Sequence, residues 1–235
     1  MSTDSLKIGR DWFRDMGWEP FGFQVEAWEA YRDGHSGLVN APTGSGKTYS
    51  LMLPIVAEFM LRHQTARSAK DAGLQAIWIT PIRALSKEIE LSARRLIEGL
   101  NIPMTVAVRS GDTPMKDRVK QKTKPPHLLI TTPESLHLLL AQRSYKDFFR
   151  DLKVLVADEW HELMGSKRGV QVELALSRLK SVAPGLKVWG ISATIGNMDQ
   201  AFEALLGSYY ARGGFKIIRA DIEKKVEIIS VLPDS

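Results

Sequence analysis

Short apolar runs of strand length recur along this chain, and each gives way to a stretch with helical spacing. The pattern predicts strands over residues 37–40, 74–80, 104–108, 128–131, 154–157, 187–192 and 226–232. It predicts helices over 49–63, 82–99, 133–143, 170–182 and 198–206, with glycines at 99, 185 and 207 where helices should stop. Several strand runs are apolar throughout and rich in Val, Ile, Leu and Trp. A strand of that kind is covered on both faces, the usual condition of a parallel sheet. The predicted class is therefore α/β, a doubly wound, mainly parallel sheet with helices on both faces. Residues 1–35 stand outside the alternation. They read as two amphipathic helices joined around 17–22, ahead of a body over 36–235.

Composition narrows the chemistry. The 235 residues are 44% hydrophobic and 25% charged, which suits a folded globular chain. There is no cysteine, so disulfides, thiolate-ligated metals and thiol nucleophiles are excluded. No run of about 18 apolar residues is present, and the first residues lack a signal-peptide pattern. A cytoplasmic chain without a membrane span is expected. Lys and Arg number 32 against 27 Asp and Glu, a net charge of +5 that permits a polyanionic partner without requiring one. The basic stretch 116–124 reads equally as a solvated surface helix and as a nucleic-acid contact.

The most specific local feature is Ala41-Pro42-Thr43-Gly44-Ser45-Gly46-Lys47-Thr48, between the first predicted strand and a helix. Glycines there let the backbone turn tightly, so that N–H groups at the helix start converge on a phosphate. Lys47 can reach β- and γ-phosphates, and the Thr48 hydroxyl can ligate Mg²⁺. The usual pattern opens with Gly, where this chain has Ala41. A second apolar strand, over 154–157, ends in Asp158-Glu159. Ligands of open parallel sheets sit beyond the C-terminal strand ends. Asp158 is placed to share the Mg²⁺, and Glu159 to orient or deprotonate a water. An acidic helix cap is the plain alternative for this pair.

Thr80-Pro81 and Thr132-Pro133 both stand where a strand hands over to a helix. Hydroxyls and free N–H groups there suit a phosphate backbone and read no bases. Arg83, Arg109, Lys167 and Arg168 can add positive charge, though each alone also reads as a solvated surface charge. Trp12 and Phe13 are expected in the core. For Trp18 and Phe21, core packing and base stacking both stay open.

Together these residues carry a family resemblance. Asp158-Glu159-Trp160-His161 resembles the D-E-x-H box of superfamily 2 helicases, and Ser192-Ala193-Thr194 their S-A-T motif. The runs from Thr80 and from Thr131 resemble the two motifs that grip a strand backbone. Gln24, 23 residues before Lys47, resembles the glutamine that reads adenine. Residues 109–113, with Gly111, and residues 192–197 narrow the likeness to the large helicase-related (Lhr-type) branch, in its bacterial ligase-associated form. The resemblance implies a RecA-like first domain. It implies ATP and Mg²⁺ at Gln24, Thr43–Thr48 and Asp158, with Lys47, Asp158, Glu159 and His161 catalytic. It implies a backbone track at Thr80, Pro81, Arg83, Arg109, Gly111, Thr132, Pro133, Lys167 and Arg168, coupled to the nucleotide by Ser192 and Thr194. Expected partners are single-stranded DNA or a DNA/RNA hybrid, a second RecA-like domain absent from this chain, and repair proteins such as a ligase. The alternative is a P-loop NTPase domain that binds ATP without moving nucleic acid.

Overall fold

A side-chain period of two puts alternate residues of a strand on opposite faces of its sheet, and both sets are apolar here. The structure is a computed structural model and describes residues 4–193, 205 and 215–221. Its strands are β1 (Ser36–Asn40), β2 (Ala76–Ile79), β3 (Val106–Arg109), β4 (Leu128–Thr131), β5 (Val154–Ala157), β6 (Lys187–Ser192) and β7 (Phe215–Arg219). They form one sheet in the order β3-β4-β2-β5-β6-β1-β7, and every pairing is parallel.

The helices are α1 (Asp4–Asp15), α2 (Gly22–Arg32), α3 (Lys47–Arg62), α4 (Ala66–Lys70), α5 (Arg83–Gly99), α6 (Met115–Thr123), α7 (Pro133–Leu140), α8 (Tyr145–Phe149), α9 (Trp160–Leu163) and α10 (Lys167–Val182). Trp78, Val156 and Trp189 point to one face, where α1, α2, α3 and α5 bury them. Ile77, Leu155 and Val188 point to the other, under α7, α8, α9 and α10. The doubly wound expectation is met, with a core on each side of the sheet.

The N-terminal helices, set apart from the body by sequence pattern, share its core. Trp12 and Phe13 are buried, as expected. The Trp28 indole donates to the Tyr49 carbonyl of α3 at 3.1 Å. The Trp12 ring lies across the end of α5, where a Cβ on Gly99 would come 2.7 Å from the indole nitrogen.

Some elements differ from expectation. β7 was not anticipated, because Lys216 and Arg219 interrupt its apolar run. It lies at the sheet edge, where charge is tolerated. The strand expected over 104–108 begins at Val106 and ends at Arg109. The polar stretch 64–73 contains the short α4, and the basic stretch 116–124 lies largely within α6. The strand expected over 226–232 lies outside the described residues, as does the helix over 198–206 apart from Leu205.

Gly37 on β1 stands opposite Trp189 on β6. A Cβ there would meet the Trp189 ring at 2.3 Å and the Lys216 carbonyl at 2.5 Å. Gly37→Ala should therefore destabilise the protein by about 1–3 kcal/mol through overpacking. Urea denaturation checks this, and an unchanged midpoint would contradict it.

Candidate nucleotide and nucleic-acid site

Parallel strands deliver all their C-terminal ends to one edge. Along that edge, in sheet order, lie Arg109 at the end of β3, Thr132 after β4, Thr80 after β2, Asp158 and Glu159 after β5, Ser192 at the end of β6, and the glycine loop after β1.

The loop from Ala41 to Gly46 turns into α3 through two left-handed glycines, Gly44 (φ +83°) and Gly46 (φ +71°). A side chain is disfavoured in that region, which accounts for glycine at both positions. Ser45 braces the turn by donating to the Pro42 carbonyl at 2.7 Å. α3 has no side-chain cap, so its first N–H groups remain suited to an anion. Thr43 is exposed and Thr48 half-buried in the first turn.

Gln24 is buried rather than solvated. Its Nε2 donates to the Gly46 carbonyl at 3.0 Å, and its Oε1 accepts the Phe21 N–H at 2.9 Å. The side chain thus ties the start of α2 to the glycine loop. Phe21 and Trp18 remain partly exposed near this tie. Trp18 packs by its edge on Trp12 and Phe13, and Phe21 stacks on Phe23.

Lys47 crosses to β5 and pairs with Glu159, Nζ to Oε1 at 2.6 Å, with both side chains largely buried. Glu159 adopts a left-handed backbone (φ 47°, ψ 47°), which costs a non-glycine residue about 1–2 kcal/mol. That conformation turns its carboxylate away from the strand line toward the loop. Glu159 Oε2 lies 3.5 Å from His161 Nδ1, and the same nitrogen is 2.8 Å from Ser192 Oγ. Lys47, Glu159, His161 and Ser192 therefore form one polar chain spanning β1, β5 and β6. Thr194 lies outside the described residues.

Asp158 is the most deeply held acid of the site. Its Oδ1 accepts the Glu159 N–H at 2.9 Å and its Oδ2 accepts the Trp78 indole N–H at 3.1 Å. Burial pushes its carboxyl up to about 6, and the Trp78 hydrogen bond opposes that rise. Trp78 was not anticipated as a site residue. It lies two positions before Thr80, and β2 neighbours β5, so strand order would have suggested it.

The track residues divide. Thr80 is buried, and its hydroxyl closes a turn onto Ile82. Pro81 is buried too. Thr132 caps α7 by accepting the Ser135 N–H, with Pro133 as the first helical residue. Arg83 is exposed and paired with Asp112 at 3.0 Å, beside Gly111. Lys167 is exposed at the start of α10. Arg168 is half-exposed and bonded to Glu134 and the Pro81 carbonyl. Arg109 departs from expectation. It is buried, its guanidinium donates to the Arg118 carbonyl, and its charge lies under α6 instead of on the track. Burial lowers its pKa, and nearby Arg118 adds to the effect. Arg118 in turn bonds the carbonyls of Thr113 and Ser110 and so shapes the loop that carries Gly111.

Residues 21–201 match the DEAD/DEAH box helicase family. The chain belongs to that family. Among curated proteins it is 35% identical to an ATP-dependent helicase Lhr-Core of Methanothermobacter thermautotrophicus, over 95% of this chain and 27% of that one. It is 32% identical to a Lhr helicase/uracil glycosylase of Escherichia coli, over 79% of this chain and 13% of that one. The structure of the Mycobacterium smegmatis helicase Lhr bound to ssDNA and AMP-PNP superimposes with a TM-score of 0.76 at 31% identity, over 90% of this chain and 27% of that one. The RecA-like fold expected from sequence is thereby established. This chain spans about a quarter of its Lhr-Core relative.

The Asp158 environment predicts a pH effect. A carboxyl whose folded pKa stands at about 6, against an ordinary 3.8, favours the protonated folded state. It adds stability below pH ~4 that is lost as pH rises through ~6. Urea denaturation between pH 5 and 7 should show that loss in the ligand-free wild type and a flatter profile in Asp158→Asn. Identical profiles would contradict it.

Proposed function

We propose that this chain is the ATP-binding first motor domain of an ATP-dependent helicase or translocase acting on nucleic acid. The observation that carries the reading is the order of groups along one sheet edge. The glycine loop, Lys47, Asp158 and Glu159 lie on one side, and the Thr80 and Thr132 loops lie next to them on the other. On this reading a nucleotide and a phosphate backbone would occupy adjoining stretches of the same sheet edge. Helicase names among the relatives and family membership support this over an NTPase domain with no motor role.

The residues fit Mg²⁺–ATP. Gly44–Lys47 N–H groups and the Lys47 ammonium suit the phosphates, and Thr48 and Asp158 supply oxygens for the cation. Bound Mg²⁺ would neutralise charge developing on the phosphates. Lys47 must leave Glu159 to reach a γ-phosphate, and that exchange frees Glu159 to accept a proton from water. His161 Nδ1 lies beside the second carboxylate oxygen at 3.5 Å, and Ser192 orients that imidazole from 2.8 Å. Gln24 keeps one N–H and one lone pair for the adenine edge, with Trp18 or Phe21 as a stacking surface. The preferred partner is single-stranded DNA or a DNA/RNA hybrid, bound through its backbone and without base preference. A second RecA-like domain would close the cleft, repair proteins such as a ligase would be its associates, and its setting would be cytoplasmic. An arginine finger from that second domain is worth about 10³–10⁵ in turnover, so this chain alone should hydrolyse ATP slowly.

Calorimetry with Mg²⁺–ATP tests the site. Lys47→Ala should lose most of the affinity. Glu159→Gln should bind ATP more tightly, since it removes the largely buried counter-ion that competes with phosphate for Lys47. It should also stop the residual turnover. Equal affinity in wild type and Lys47→Ala would overturn the reading. Gln24→Ala should bind ATP and GTP alike, where the wild type prefers ATP. A wild type without that preference removes Gln24 from adenine recognition.

A further inference from the structure

Arg168 stands in the first turn of α10 and reaches two loops at once. Its Nε donates to Glu134 Oε1 at 2.7 Å, and its Nη1 donates to the Pro81 carbonyl at 3.2 Å. Pro81 follows Thr80 at the end of β2. Glu134 follows Thr132 and Pro133 at the end of β4, the neighbouring strand. Arg168 therefore spans the two backbone-binding loops. Nearby, His137 of α7 donates from Nε2 to the Gln171 carbonyl of α10 at 2.6 Å, which fixes the same pair of helices a second time.

On its other side Arg168 is held firmly to the nucleotide site. α9 begins immediately after Glu159 and ends at Leu163. The chain then turns through left-handed Gly165 (φ +66°). Ser166 Oγ donates to the Leu163 carbonyl at 2.6 Å and accepts the Gly169 N–H at 3.2 Å, capping α10. Gly169 lies so close to α9 that a Cβ would come 2.2 Å from the Leu163 carbonyl. Trp160 and Leu163 are fully buried beneath. From Glu159 to Gly169 the chain forms an elbow pinned by the buried Trp160 and Leu163 and by the Ser166 cap.

We propose that Arg168 is a positioning residue. It sets the spacing of the Thr80 and Thr132 loops and fixes both to the elbow that carries Glu159, whereas sequence had suggested a phosphate ligand. Its two donating groups face protein acceptors, and the geometry links the nucleotide site to the track separately from Ser192. The consequence for nucleic acid rests on the helicase reading above; the clamp itself does not.

Hydrogen exchange on the free protein tests the clamp. The reporters are the Leu85 amide, bonded to the Ile82 carbonyl, and the Ser135 and Leu136 amides, bonded to Thr132. Arg168→Gln should speed exchange at both sets by about two- to fivefold, the range of a half-exposed ion pair. Glu134→Gln should speed the Thr132 set equally, and the double variant should go no further there. Arg168→Lys keeps a charge for Glu134 but lacks the planar fork, so it should restore the Thr132 set and leave the Leu85 amide fast. Unchanged exchange at either loop in Arg168→Gln overturns the proposal.

Anisotropy of a labelled oligo-dT over a salt series tests the consequence. A positioning role predicts that Glu134→Gln weakens binding as Arg168→Gln does. A phosphate ligand instead predicts tighter binding by Glu134→Gln and a salt slope about 0.7 smaller in Arg168→Gln, and that result also overturns the proposal. A wild type that binds no oligo-dT would defeat the helicase reading, while the exchange measurement still decides the clamp.

Discussion

Because every described strand runs the same way, every one also ends on the same side, and most of the candidate site lies at those ends. Loops from β1, β2, β4 and β5 meet along about five strand widths, each near 4.8 Å. The apolar residues that make the strands parallel and doubly covered therefore also bring the glycine loop, the acid pair and the Thr80 and Thr132 loops together. Burying Trp78 and Trp189 on one face and Leu155 and Val188 on the other fixes the register on which those ends depend.

Within that frame, the Lys47–Glu159 pair sets the resting state. Each group serves as the other's counter-ion across 112 residues of chain. A buried charge left alone is costly, so the pair yields only to a ligand that offers Lys47 another anion. On the function proposed above, the same contact would cover the carboxylate until a phosphate draws Lys47 away. Asp158 sits one residue earlier and is stabilised differently, by an indole and a backbone N–H.

Features set by a few adjacent residues were legible in the sequence. A glycine loop between strand and helix needs only its own spacing, and Asp158-Glu159 needs only the strand before it. Features set by strand order were not. The Trp78–Asp158 bond joins residues 80 positions apart, and Arg168 meets Glu134 across 34. Arg109 reads as added charge at the head of the Arg109–Thr113 run, yet its buried guanidinium donates to the Arg118 carbonyl of α6. Gln24 shows the same limit: its place in a motif was readable, but its burial against Gly46 depends on how α2 lies on α3. β7 is not legible because Lys216 and Arg219 surround its short apolar pair Ile217-Ile218, a mix that an edge strand tolerates.

The backbone of Glu159 has an evolutionary consequence. A left-handed residue flanking a strand is most comfortably Gly or Asn, and Glu is held there against that preference. Selection for thermal endurance alone would drift position 159 toward those residues and lose the carboxylate in the process. On the function proposed above, position 159 trades backbone comfort for the carboxylate that turnover needs, with robustness left to the two cores. Laboratory evolution for heat tolerance without an activity screen would be expected to erode this position early.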